Sequence, residues 1–259
     1  MKNFSKILTG SLIASILIIS GVSYYFLVSK NKIDISNESK NQVASTATTT
    51  KTEATTNEVK SAEQNQTIAD APEEKPLPDK IVLDVPFQVQ APGANWDALH
   101  EDACEEASLM MVYHYNSKTP LGGDEEINKL VQWETENSYG PSITLKELSQ
   151  VAKNYYLIAG ARIETNVTVD KIKSEIAAGK PVIIPAAGKV LPNPNFSNGG
   201  PNYHMLVVKG YDSQNFITND PGTRKGEGFV YKYNDLINSI HDWDENNILN
   251  GQKAYLVFN

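Results

Sequence analysis

Only one cysteine, Cys104, occurs in the 259 residues. That excludes an intramolecular disulfide framework and any multi-cysteine zinc cage. Basic residues are also in deficit, 23 Lys and Arg against 31 Asp and Glu, for a net charge of −8 and a pI near 5.1. A nucleic-acid partner, which needs a concentrated basic face, is not expected. There is no P-loop, dinucleotide fingerprint or HExxH helix. Asp242-x-Asp244-x-Asn246 opens like a calcium loop, but Asn247 stands at the turn glycine and Lys253 at the closing glutamate. No cofactor and no metal are expected. Residues 33–80 contain no Phe, Tyr or Trp and only six Ile, Leu or Val. Such a stretch cannot bury enough apolar surface to offset its ordering entropy.

Three regions follow. From Ile7 to Ser29 there are 23 residues without a charge. As a helix they would reach about 35 Å, enough for a hydrocarbon core of about 30 Å. The run exceeds the apolar part of a cleavable signal peptide, no A-x-A site follows, and Tyr24-Tyr25-Phe26 suits an interfacial belt. Residues 1–32 therefore read as a membrane anchor with a signal-anchor helix at about 7–28. Lys2 and Lys6 on one side nearly balance Lys30 and Lys32 on the other, so lysine counting does not orient it. Residues 33–80 read as a disordered Ser/Thr/Ala/Glu-rich tether, spanning roughly 35–42 Å for a flexible chain of that length. The expected location is the cell membrane, single-pass, with the remaining domain on the extracytoplasmic side.

Residues 81–259 carry the chemistry. Helices are predicted at about 103–115, 125–135, 145–155 and 169–178. Thr144 and Glu147 form a capping box for the third, and Gly179 ends the fourth. Asp102, with Glu105 three residues on, reads as the cap of the first. Strands are predicted at 181–184, 203–209, 215–219, 228–233 and 253–258. Helices first and strands later imply an α+β fold with a mostly antiparallel sheet.

With Asp102 as cap, Cys104 sits in the first helical turn, where the helix dipole favours a thiolate. Glu105 and Glu106 oppose this if they face the sulfur. A lone cysteine is otherwise a small core hydrophobe. Among four histidines, His100 precedes the first helix in an irregular segment and could be surface. His114 points away from Cys104 as a partly buried helix residue, and His241 sits in an acidic surface patch. His204 opens the buried run Met205-Leu206-Val207-Val208 after a Gly/Pro/Asn loop, a place where a scaffold presents catalytic groups. A five-residue turn centred on Asp212 pairs Val208 with Phe216, Leu206 with Thr218 and His204 with Asp220. Asp220 could then orient the imidazole, in nucleophile–base–orienter logic. The irregular segment 188–202 is either an exposed linker or a lid or wall of the substrate site.

Ala103-Cys104-Glu105-Glu106-Ala107-Ser108, with Val85-Pro86-Phe87 and Gln90-Ala91-Pro92 before it, resembles the stand-alone bacterial relatives of the bacteriocin-processing (double-glycine leader) cysteine peptidases. Tyr203-His204 and Asn219-Asp220-Pro221-Gly222 resemble that family's His and Asp blocks. The resemblance implies a papain-like fold, a Cys–His–Asp set carried by Cys104, His204 and Asp220, and a glutamine aiding the oxyanion. Gln90 is the best match for that glutamine and Gln88 a weaker one. Gln90 lies fourteen residues before the cysteine, farther than in transporter-linked members, and no transporter domain accompanies it.

The reading is a membrane-tethered extracytoplasmic cysteine peptidase acting on peptide or protein substrates through a thioacyl intermediate. Cell-wall peptide hydrolysis, acyl transfer and a silent surface binding module are the alternatives.

Overall fold

The computed structural model describes residues 76–259. The expected anchor, 7–28, and most of the expected tether lie outside them. Among the described residues no helix is long and apolar enough to cross a membrane.

The elements run β1 (Ile81–Val82), α1 (Ala98–Glu101), α2 (Cys104–Ser117), α3 (Gly123–Glu136), α4 (Leu145–Asn154), β2 (Ala161–Glu164), α5 (Val169–Ala177), β3 (Val182–Ala187), β4 (Tyr203–Tyr211), β5 (Asn215–Asn219), β6 (Phe229–Lys232), α6 (Tyr233–Ser239) and β7 (Tyr255–Phe258). This is the α+β arrangement expected. The strands form one sheet in the order β2-β7-β3-β4-β5-β6, and every pairing is antiparallel. β1 pairs with the far end of β4 at Gly210 and Tyr211.

All of β4 is buried because both sheet faces are covered. Its odd residues Tyr203, Met205 and Val207 pack with Leu109, Ile127 and Leu148 of α2, α3 and α4. Its even residues Leu206 and Val208 pack with Ile172 and Ile176 of α5 and Leu236 of α6. Truncating a side chain such as Leu206 to alanine would cost about 2–5 kcal/mol. The site rests on this central strand.

Local signals behave as their chemistry dictates in two helices. Thr144 Oγ1 accepts from the Glu147 N–H at 3.2 Å while Glu147 Oε2 accepts from the Thr144 N–H at 2.8 Å, the capping box expected for α4. Gly179 takes φ +81° and donates its N–H to Ile176 O, ending α5. The expected cap of α2 does not form. Its N-cap is Ala103, without a side-chain bond, and Asp102 instead closes α1. Glu105 cannot complete a capping box because its carboxyl turns inward, to the Cys104 thiol and the Ile143 N–H. Cys104 is thus the first residue of the helix.

The β4–β5 register also differs from expectation. Val208 pairs with Thr218 rather than Phe216, and Val207 with Asn219. Two causes combine: the turn closes at Asp212 N–H to Asn215 O, and a bulge between Val208 and Gly210 inserts an extra residue. Near His204 the slip is two residues, and an even slip keeps side chains on their face. Asp220 therefore lies diagonal to His204 on the same side rather than directly opposite. Helix α1, edge strand β2 and helix α6 were not anticipated. β2 shows only half-buried alternation, and α6 follows β6 with no intervening residue.

Candidate active site

Cys104 is buried at the head of α2, and its Sγ donates to Glu105 Oε2 at 2.9 Å. Burial pushes the thiol well above its ordinary value, and Glu105, hydrogen-bonded to it, and Glu106 would add to the rise when ionised. The Met205 backbone N–H, next in the chain to His204, works the other way. Burial of the sulfur outweighs the dipole benefit expected from sequence.

Glu105 belongs to a buried acidic group. Burial, then Glu106, push its carboxyl well up. Glu106 meets Glu134 of α3 side chain to side chain. Glu106 Oε2 and Glu134 Oε1 are both buried and accept from no N–H or hydroxyl donor among the described residues. Two ionised carboxylates can only accept, so this contact requires a shared proton. Burial, then the Glu106 charge and hydrogen bond, push Glu134 up to about 12, in keeping with a proton held by the pair.

His204 and Asp220 are brought together. The imidazole Nε2 lies 2.8 Å from Asp220 Oδ1, with both side chains sealed from solvent. Asp220 also accepts from the Gly222 N–H at 3.0 Å, Asn193 Nδ2 at 3.0 Å and the Tyr231 hydroxyl at 2.6 Å. Burial alone would raise its pKa, yet the charge and hydrogen bond of His204 and the donors Tyr231 and Gly222 hold it below the ordinary aspartate value. Burial and the Asp220 charge push the Tyr231 phenol upward, so it remains a donor. The imidazole rests edge-on against Phe196, ring centroids 5.2 Å apart. Gly222 lies so close to both rings that an added Cβ would come within 2.8 Å of His204 Cε1. Among the described residues the thiol has no hydrogen bond to His204; its partner is Glu105.

Gln90 joins the two halves of the site. Its Nε2 donates to His100 O at 2.8 Å and Glu101 O at 2.9 Å, just before Cys104, and its backbone N–H donates to Pro221 O at 3.0 Å, just after Asp220. Both amide hydrogens are therefore committed, and a substrate oxyanion would have to displace one carbonyl. Gln88 donates only to the adjacent Val89 O. A cleft of about 980 Å³ opens here, lined by Gln90, Trp96, Phe196, His204, Gly222 and Arg224 among others. Residues 195–198 and 200–202 supply one side, so much of the irregular segment before His204 is a wall of the cleft. Cys104 is not among the lining residues.

The other histidines serve the framework. His100, for which the sequence left a surface place open, is buried in α1, where Asp97 and Asp124 face its two ring nitrogens at 2.7 and 3.1 Å. His114 is buried, contacting Thr119 and Glu126, and His241 Nδ1 faces Gly251 O. Asp242 accepts from the Leu145 N–H at the head of α4 and from the Tyr203 hydroxyl. No group of three or more His, Cys, Asp or Glu among the described residues could hold a metal ion. Asn193 and Tyr231 were missed from sequence. Their role exists only once β6 and the 188–202 segment converge on Asp220.

Residues 82–248 match the Peptidase C39-like family. The chain belongs to that family. The resemblance to the bacteriocin-processing cysteine peptidases is thereby borne out, and this C39-like protein is a cysteine-type peptidase. It is similar to a putative C39-like peptidase from Bacillus anthracis, at 20% identity over 70% of this chain and 98% of that one, TM-score 0.47. It is also similar to xylellain, a cysteine protease from Xylella fastidiosa, at 16% identity over 74% of this chain and 91% of that one, TM-score 0.40. No curated protein matches it significantly.

Proposed function

We propose that this peptidase is held at the membrane by residues 7–28 and hydrolyses peptide bonds outside the cell, with Cys104 as nucleophile, His204 as base and Asp220 as orienter. The observation that carries the residue assignment is the buried His204–Asp220 contact of 2.8 Å on the wall of a cleft, in a chain whose only cysteine heads the adjoining helix. With Nε2 on Asp220, Nδ1 is the nitrogen left for the thiol proton. The thiolate attacks the substrate carbonyl carbon, the C–N bond breaks as the imidazolium protonates the leaving amine, and a thioester remains. Water, deprotonated by His204, then attacks the thioester and returns the thiol. The charge-free stretch Ile7 to Ser29 supports the tether, and the polar segment after it suits a domain standing off its membrane.

Cys104→Ala in the full chain, assayed by product analysis on a peptide library, should abolish cleavage while leaving the melting temperature near wild type. Substantial retained turnover sinks the assignment. Protease added to intact, wall-stripped cells should release the C-terminal domain; protection until the membrane is broken sinks the extracytoplasmic placement.

A further inference from the structure

The thiol's contact with a buried carboxyl is unexplained by the mechanism above. Glu105 is about 1% exposed and its Oε2 lies 2.9 Å from Cys104 Sγ. The groups facing it are Cys104 and Glu106 on its own helix, Glu134 of α3 and Tyr203 of β4. None of them is a cation. An ionised carboxylate there would be a buried charge without a counter-charge, beside a sulfur that must itself become negative. A neutral carboxylic acid removes both difficulties, and the hydrogen bonds say which oxygen carries the proton. Glu105 Oε1 accepts from the Ile143 N–H at 3.3 Å, so it is the carbonyl oxygen. That leaves Oε2, the atom beside the sulfur, as the hydroxyl.

We propose that Glu105 carries a proton in the working enzyme and donates it as a hydrogen bond to Cys104 Sγ, a further catalytic residue that supports the thiolate. This rests on the assignment of Cys104 as nucleophile. The proton balance is simple: the thiol hydrogen passes to His204 Nδ1, Glu105 keeps its own hydrogen, and the 2.9 Å contact reverses its sense from S–H···O to O–H···S. A neutral donor aimed at a buried sulfur favours the anion, as a protonated buried aspartate does in the oxyanion hole of ketosteroid isomerase. Raised carboxyl affinity for the proton, caused by burial and Glu106, is in keeping with this. Ionisation of Glu105 would reverse its effect and oppose the nucleophile.

The sign of a thiol pKa change tests the idea. In the full-length protein the rate of iodoacetamide alkylation of Cys104 is measured against pH for wild type, Glu105→Gln and Glu105→Met. Glutamine mimics the acid form, with its oxygen toward Ile143 and its amide hydrogens toward the sulfur. Methionine fills similar space without a donor. The expected result is a thiol pKa in Glu105→Gln close to wild type at neutral pH, and one raised by about a unit in Glu105→Met, a tenfold loss of thiolate. Cleavage should follow the same order, and the alkaline limb in Glu105→Gln should move to higher pH. A thiol pKa that falls or stays unchanged in Glu105→Met overturns the proposal, since a carboxylate opposing the thiolate gives that sign. Melting temperatures establish folding, and Glu105→Leu repeats the measurement if the methionine variant does not fold. Alkylation needs no turnover, so failure here is separable from failure of the peptidase assignment, which Cys104→Ala reads.

Discussion

Tyr231 donates its phenolic hydrogen to Asp220 Oδ2 at 2.6 Å. Asn193 Nδ2 reaches the same oxygen at 3.0 Å and the Tyr231 oxygen at 2.9 Å, so the three side chains form a closed, buried triangle. A carboxylate fully withdrawn from water needs such donors. With Oδ2 fixed by β6 and the 188–202 segment, Oδ1 is left for His204 and the Gly222 N–H. The triangle aims the aspartate, and the aspartate aims the imidazole.

Tyr231→Phe should therefore act through Asp220. A hydrogen bond to a charged group is worth about 1.5–3 kcal/mol. Asp220 has a depressed pKa, so its contribution to stability is present above the unfolded aspartate value near 4 and is lost as pH falls through the lower folded value. Removing a donor raises the folded value, and the acid limbs of both activity and stability move to higher pH. We expect kcat/KM to fall roughly tenfold, with Asn193→Ala shifting in the same direction. A pH–rate profile with an unchanged acid limb in both variants would count against the triangle.

How much of this was legible in the sequence depends on the range of the interaction involved. The α4 capping box and the Gly179 stop involve residues within three or four positions, and both were readable. The pairing of His204 with Asp220 was read from a hairpin register that was off by two, and it survived because an even slip preserves the face. The bulge at Lys209 has no local signature beyond Gly210. Glu105 looked like a capping residue because its spacing from Asp102 fits. Its actual partners, Cys104 and Ile143, meet only when the 143–144 segment packs on α2. Asn193 and Tyr231 sit 27 and 11 residues from Asp220, and no period links them to it.

The Glu106–Glu134 pair predicts an unusual pH dependence of stability. A carboxyl whose folded pKa is raised holds a proton that the unfolded chain releases above about 4.3. Stability then falls with rising pH by about 1.4 kcal/mol per unit for each such proton, up to the folded pKa. With Glu134 pushed up to about 12, this decline spans the whole neutral range. Glu134→Gln keeps a donor toward Glu106 but has no proton to lose. Urea denaturation at pH 6 and pH 8 should show a slope shallower by about one proton's worth in the variant. Equal slopes in the two proteins would show that the pair holds no such proton.

Gly222 offers a steric test that leaves every titrating group in place. Its added Cβ would approach His204 Cε1 to 2.8 Å and Phe196 Cε1 to 3.0 Å. Backbone freedom is not the issue, because Gly222 is not among the positive-φ glycines. In Gly222→Ala the imidazole must move by a few tenths of an ångström or more, away from a geometry fixed by Asp220. Misplacement on that scale costs catalysis well beyond stability, about tenfold or more in kcat. A variant with wild-type kcat would mean that His204 in this position is not the working base.

Asp220 itself is tested by a graded series of substitutions. If it orients His204 and stabilises the imidazolium that accompanies the thiolate, His204→Ala should lose nearly as much activity as Cys104→Ala. Asp220→Asn should lose less, because an amide oxygen can still accept from Nε2–H and hold the ring, as asparagine does in papain-like sites. Asp220→Ala should lose more than Asp220→Asn, having neither acceptor nor charge. The structure adds a complication that the design must meet. Asp220 also accepts from Gly222 N–H, Asn193 and Tyr231, so alanine removes the acceptor of three donor hydrogens, at about 1–3 kcal/mol for each that stays buried and unpaired. Each variant is therefore compared by activity per folded molecule, with folding read from its thermal melt. The thiol pKa from alkylation supplies the readout that destabilisation alone does not move: it should rise in Asp220→Ala as the imidazolium is lost. A folded, active Asp220→Ala enzyme with an unchanged thiol pKa would remove Asp220 from the catalytic set and leave its four hydrogen bonds a purely structural knot.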